Sequence, residues 1–253
     1  MKLPHIALPF LLVFTAGFLR ADYSFKEPFT RSGAFDATGV VTLENVSGNV
    51  EIRTWDKNEI SIEGEMSAKT QEELKQIEMN IDVSPARTDI KVKFPKRDGS
   101  SWGGENIRAN VSFKLRVPAN AVLEKISTVN SSVTIEGIHG TVNASTVNGA
   151  IFAKELGGGA KLNTVNGTVE AAFSQVGADQ KLSFNTVNGQ IHVRLPKDAG
   201  FKLNGSTVNG RVSCDFPLSE MKKSWGGLSG TSGDGRATLK ASTVNGAVRI
   251  ESL

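Results

Sequence analysis

The 253-residue chain has one cysteine, Cys214, one tyrosine, Tyr23, and an aromatic content of only 7%. A single cysteine excludes an internal disulfide, so stability must come from packing and backbone pairing. The scarcity of aromatics argues against a bulky globular core and suits a thin one of stacked Val, Ile, Leu and Ala, as do the 26 glycines. An excess of charge is also missing. Two of the 29 basic residues, Lys2 and Arg20, fall in the first 21 positions with no acidic residue. The remainder therefore carries 27 basic against 26 acidic residues. That near-balance excludes the broad basic footprint of a nucleic-acid binder.

The N-terminus reads as a signal peptide over residues 1–21. A charged Met1-Lys2 precedes an apolar run from Ile6 to Phe18, and Leu19-Arg20-Ala21 offers a small residue for cleavage. The run is shorter than the roughly 20 residues of a membrane span, although a retained N-terminal anchor is the alternative. Cysteine-poor export fits a bacterial envelope protein, in the periplasm or at the cell surface, with no transmembrane span once the signal is removed.

What is abundant is one phrase. Thr-Val-Asn starts at Thr128, Thr146, Thr164, Thr186, Thr207 and Thr243, and Gly follows in every copy but the first. Intervals of about twenty residues indicate stacked backbone units. Three positions before the motif's Val stand Ile126, Ala144, Leu162, Phe184, Gly205 and Ala241. Four positions after it stand Val133, Ile151, Val169, Ile191, Val212 and Val248. Side chains alternate faces along a strand, so both sets point inward only if the chain bends at Val-Asn-Gly. Asn and Gly suit such a corner because both tolerate positive φ. Val is expected in the core.

Asn-Gly is also the strongest short signal for a β-hairpin, which makes an antiparallel meander the competing fold. A parallel stack is favoured because it sets each Asn over the next at about 4.8 Å, where side-chain amides form a ladder. A hairpin needs only the dipeptide and leaves Thr unexplained. The repeat positions are thus Asn130, Asn148, Asn166, Asn188, Asn209 and Asn245, with Gly149, Gly167, Gly189, Gly210 and Gly246.

The predicted fold is all-β: a single-domain parallel β-solenoid over residues 38–253, with coils of about 18–22 residues. Residues 22–37, which lack a clear period, form a lead-in or cap. One short helix lies within an insertion at about 67–80, where Thr70 and Glu73 have capping-box spacing. Loop insertions fall at about 95–106 and 215–236. The two loops share a design: Phe-Pro, a basic pair (Lys96-Arg97 and Lys222-Lys223), then Ser-Trp-Gly-Gly around Trp102 and Trp225.

Asn45-Val-Ser-Gly-Asn-Val-Glu-Ile52 with Trp55-Asp56, the capped helix at Thr70, the strand ending in Val117-Pro118-Ala119 and the serial Thr-Val-Asn-Gly units together resemble the DUF4097-type family of bacterial "putative adhesins". The resemblance covers about residues 38–253. It implies an exported β-solenoid of the envelope or surface and brings no catalytic residues.

The residues themselves offer little chemistry. From Gly140 onward the acids are Glu155, Glu170, Asp179, Asp198, Asp215, Glu220, Asp234 and Glu251, and their spacing stacks no two on one face. His139 and His192 lack the company a metal site needs. Cys214 reads as a small, half-buried residue. No catalytic residue, metal site or cofactor is expected. The two Trp loops are expected to cover solenoid edges, or else to bind sugars or anionic polymers with Trp102, Trp225, Lys96, Arg97, Lys222 and Lys223. The expected function is a non-enzymatic, adhesin-like protein binding a surface glycan or envelope protein through extended faces or loops. A structural or stress-sensing partner of another envelope protein is the alternative, and a β-helix carbohydrate-active enzyme comes third.

Overall fold

The computed structural model describes residues 24–94 and 109–253. In chain order, β1 (Phe25–Ala34), β2 (Val40–Glu44), β3 (Val50–Trp55) and β4 (Glu59–Ala68) lead to helix α1 (Gln71–Lys75). Then come β5 (Glu78–Val83), β6 (Arg87–Lys93) and β7 (Ala109–Pro118). The repeat region follows as strand pairs joined at each Thr-Val-Asn: β8 (Val122–Ser127) and β9 (Val133–Glu136), β10 (Val142–Ser145) and β11 (Ile151–Leu156), β12 (Ala160–Asn163) and β13 (Val169–Phe173). Next are β14 (Lys181–Asn185) and β15 (Ile191–Leu195), then β16 (Phe201–Asn209) and β17 (Val212–Cys214). The hairpin β18 (Ser219–Lys223) and β19 (Gly227–Ser232) precedes the last pair, β20 (Ala237–Asn245) and β21 (Val248–Ser252).

The strands form two sheets, and each pair contributes one strand to each. One sheet runs β1-β4-β7-β3-β9-β11-β13-β15-β21-β17, the other β18-β19-β16-β20-β14-β12-β10-β8-β2-β6-β5. Neighbouring repeat strands pair in parallel, for example Ile151 beside Val169 and Leu162 beside Phe184. That excludes the meander. The result is an all-β, solenoid-like stack of rungs, a rung being one strand from each sheet and the corner between them. Phe173 of β13 meets Phe184 of β14 edge-on across the interior, with ring centroids 6.2 Å apart. Both inward sets from the repeat are buried: Ile126, Ala144, Leu162, Phe184 and Ala241 before the corner, Val133, Ile151, Val169, Ile191, Val212 and Val248 after it.

Rung order in space is not chain order. The β20–β21 rung lies between β14–β15 and β16–β17. The chain leaves a gap, builds the outer rung, turns through the hairpin and returns to fill the gap. At the other end the order is also broken, but without a gap: β2–β3 comes first, β6–β7 is added on its outer side, and β8–β9 then stacks on its inner side. The 36-residue interval is therefore not one enlarged coil.

Antiparallel strands close the ends. β1 and β4 extend one sheet beyond β7, β5 extends the other beyond β6, and β18–β19 lies beyond β16. The expected lead-in is thus largely a ten-residue strand. β1 lacks a visible period because it is an edge strand exposed along most of its length. Helix α1 has the expected capping box, with Thr70 Oγ1 accepting from Glu73 N–H and Glu73 Oε2 from Thr70 N–H. It stops at Lys75, short of the expected end. From Glu78 the half-buried Met79, Ile81 and Val83 alternate with exposed residues, and that period of two pairs β5 with β6.

Candidate functional site

The corner shows what each letter of the repeat does. Asn148 donates its side-chain N–H to Asn130 Oδ1 at 2.9 Å, and Asn166 to Asn148 at 2.8 Å. The ladder continues through Asn188, Asn245 and Asn209, each donating at 2.7–2.8 Å to the one before. The separations along the chain are 18, 18, 22, 57 and 36 residues, which follows the spatial order of the rungs. Thr points inward and is buried. Thr164 Oγ1 donates at 2.9 Å to the carbonyl of Gly149 in the rung below, and Thr186, Thr243 and Thr207 repeat the bond.

Two expectations fail here. Val is not in the core: Val147, Val165, Val187 and Val244 are about 39–40% exposed and form a ridge beside the Asn ladder. Val208, at the end of the row, reaches 62%. Positive φ is not the general reason for Gly either. A Cβ on Gly167 would lie 2.0 Å from the Gly149 carbonyl oxygen, and one on Gly189 would lie 1.9 Å from that of Gly167. Glycine is required because consecutive rungs touch backbone to backbone. Ser131 is tolerated because Gly48 beneath it adopts φ +118° and donates its N–H to Ser131 Oγ at 2.6 Å.

The second Ser-Trp-Gly-Gly segment forms the tip of the β18–β19 hairpin. Ser224 N–H bonds the Gly227 carbonyl at 2.9 Å, and Thr207 N–H bonds the Gly226 carbonyl at 2.7 Å. A Cβ on Gly226 would stand 2.0 Å from the Thr207 oxygen, so this glycine too serves close approach. Anchored in this way, the tip holds Trp225 in solvent, 96% exposed. Trp225 therefore does not cover the edge. Phe216 does: it is buried and meets Phe201 edge-on at 5.1 Å. Lys222 and Lys223, opposite Ser229 and Leu228, are exposed beside the tip. Lys96, Arg97 and Trp102 lie outside the described residues.

Sequence reasoning missed a charged cluster on the outer face of the first sheet. Glu170, His192, Arg194, Arg249 and Glu251 come together from β13, β15 and β21. His192 Nε2 lies 2.6 Å from Glu251, and Arg194 lies 3.4 Å from Glu170. Two carboxylates do therefore share a face, brought there by a rung order that spacing could not reveal. Nearby, a shallow groove of about 520 Å³ runs past Phe152, Lys154, Glu155 and Glu170. Its wall bulges at Glu155, which has φ 54°.

Thr42, donating at 2.5 Å, and then the Arg87 guanidinium hold Asp89 below the usual carboxylate range. Burial pushes the half-buried Cys214 thiol up, the opposite of an activated nucleophile. Among the described residues, no three His, Cys, Asp or Glu side chains are placed to hold a metal ion.

The profile of the Toastrack DUF4097 family matches residues 124–251, which include every Thr-Val-Asn unit. The chain belongs to the Toastrack DUF4097 family. Among solved structures, a "putative cell adhesion protein" from Clostridium sporogenes is 13% identical with a TM-score of 0.47. That likeness covers 90% of this chain and all of the other. A "putative adhesin" from Bacteroides fragilis is 12% identical over 90% of this chain and 97% of its own, with a TM-score of 0.31. A "putative lipid binding protein" from Parabacteroides distasonis is 12% identical over 89% and 96%, with a TM-score of 0.28. A comparison with curated proteins finds no match. No helix among the described residues is long and apolar enough to cross a membrane.

Proposed function

We propose that this Toastrack protein is an exported, non-enzymatic binding protein of the bacterial envelope or cell surface, adhesin-like in working through exposed faces and the hairpin tip. The observation that carries the reading is Trp225, held 96% exposed by a turn whose backbone is fixed to β16. A large aromatic kept in water loses the burial free energy of its apolar surface, about 25 cal/mol per Å². Gly226 and two backbone hydrogen bonds nonetheless maintain it there. Flat rows of Ser, Asn and Thr on the outward strands supply many weak contacts suited to avidity rather than one deep pocket.

The test is binding of the full chain to envelope fractions and whole cells, comparing wild type with Trp225→Ala. The expected result is at least a tenfold loss of binding with an unchanged melting temperature. Equal binding by the variant removes the hairpin tip from the site. No binding by the wild type to any fraction ends the reading.

A further inference from the structure

The outer faces of the two sheets differ in how their charges are used. On the first sheet, and on the early rungs of the second, basic groups are interspersed with carboxylates: Arg53 pairs with Glu51, Arg194 with Glu170, Lys125 with Glu44, and Arg87 with Asp89 and Glu124, while Lys114 and Lys154, without an ion pair among the described residues, stand beside Glu51 and Glu136. On the later rungs of the second sheet they are not. Lys161 of β12, Lys181 of β14, Lys240 of β20, Lys202 of β16, and Lys222 and Lys223 of β18 are all exposed, and none is ion-paired with a described carboxylate.

Register gathers five of these onto one face. Lys161, Ser183, Lys240 and Asn204 are successive cross-strand neighbours, and Asn204 lies opposite Ser229, which lies opposite Lys222. In the adjacent row, Lys181, Thr238, Lys202 and Thr231 stand side by side. Paired residues on neighbouring strands point to the same side. The face spans five inter-strand spacings from β12 to β18, roughly 24 Å. Between the lysines stand Ser, Thr and Asn, with no carboxylate in either row. Glu220 lies beside them, in the depression that also holds Met221, Lys202 and Lys222, and Asp179 stands in the turn that leads into β14.

We infer that this half of the second sheet, with its hairpin, is a docking surface for an anionic phospholipid membrane. The inference rests on the envelope-binding reading above and specifies its partner. Charge complementarity is one argument: unpaired lysines spread across a sheet match a surface of many negative headgroups, to which each contributes about fivefold in affinity. The apolar element is the other. Trp225, 96% exposed, and Met221, 60% exposed, belong to the strand and tip that carry Lys222 and Lys223. A Trp with flanking Lys is the composition that anchors at a membrane interface. A polyanionic glycan would satisfy the lysines but gives no reason for exposed Met221.

The experiment is co-sedimentation of the full chain with vesicles of phosphatidylglycerol and phosphatidylcholine, and with phosphatidylcholine alone. The quadruple variant Lys161→Gln, Lys181→Gln, Lys202→Gln, Lys240→Gln and the variant Arg194→Gln on the opposite sheet are measured in parallel. The apolar N-terminal run is common to all, and neutral vesicles measure its contribution. The expected result is preference of the wild type for anionic vesicles, lost on raising salt. The quadruple variant should bind at least tenfold more weakly with an unchanged melting temperature, and Arg194→Gln should bind like wild type. Equal binding to neutral and anionic vesicles, or an unaffected quadruple variant, overturns the inference. So does retention on immobilised polygalacturonate without vesicle binding, an outcome that leaves the broader envelope-binding reading standing.

Discussion

At the residue scale, the corner assigns three separate tasks to four letters. Thr bonds a carbonyl of the rung below, Asn links side chain to side chain, and Gly lets backbones meet. Gly167→Ala should therefore destabilise by ~2 kcal/mol or more, since the carbonyl it would strike belongs to backbone that cannot swing aside. Gly159→Ala, whose added Cβ would meet nothing nearer than 3.4 Å, should change stability by less than about 0.5 kcal/mol. Urea titration of both variants separates the cases, and a mild effect at Gly167 would refute the close-approach account. Asp89 gives a pH test. Its folded pKa is depressed, so its contribution is complete above the ordinary Asp value of about 3.9 and is lost as pH falls through the lowered folded value. Urea midpoints measured from pH 5 to pH 2 should fall less steeply for Asp89→Asn than for wild type.

At the element scale, the hairpin β18–β19 separates two roles that the sequence places side by side. Phe216 closes the end of the core against Phe201, while Trp225 stays outside. Phe216→Ala should cost ~3 kcal/mol, read as a lowered denaturant midpoint, whereas Trp225→Ala should leave the midpoint unchanged. The corner bend and the Asn ladder were legible because they follow from side-chain parity and a repeated letter, both local to the motif. The outward Val was not. Parity fixes where an inward run breaks but not which residue after the break returns inside, and Val147 and Val165 lie within the bend itself. The helix was legible at its cap and not at its end, since a strand pairing decides where it stops. The candidate site was legible only in part: the doubled Ser-Trp-Gly-Gly phrase marked the hairpin. The lysine rows join Lys161, Lys202 and Lys240 through pairings that no interval in the sequence reveals.

At the scale of the whole molecule, the rung order was hidden because β16 and β20 read almost alike, each ending in Ser-Thr-Val-Asn. What tells them apart is slight. Gly205 stands where β20 has Ala241, with the Val212 side chain so close that a Cβ there would meet it at 2.7 Å. The hairpin also needs an outer strand to pair with. Deleting residues 237–253 should therefore do more than remove a last rung. It takes out the rung that joins β16–β17 to the rest, and amide hydrogen exchange should find residues 201–214 unprotected. Protection there would mean that β16 can re-pair directly on β14.

That interleaving also sets a clock on the protein's manufacture. A simple stack settles rung by rung as it emerges from a ribosome or a secretion channel. Here β16 and β17 emerge before their parallel neighbours, β20 and β21, exist. The far end of the stack thus stays unfinished until residues 237–252 have been delivered.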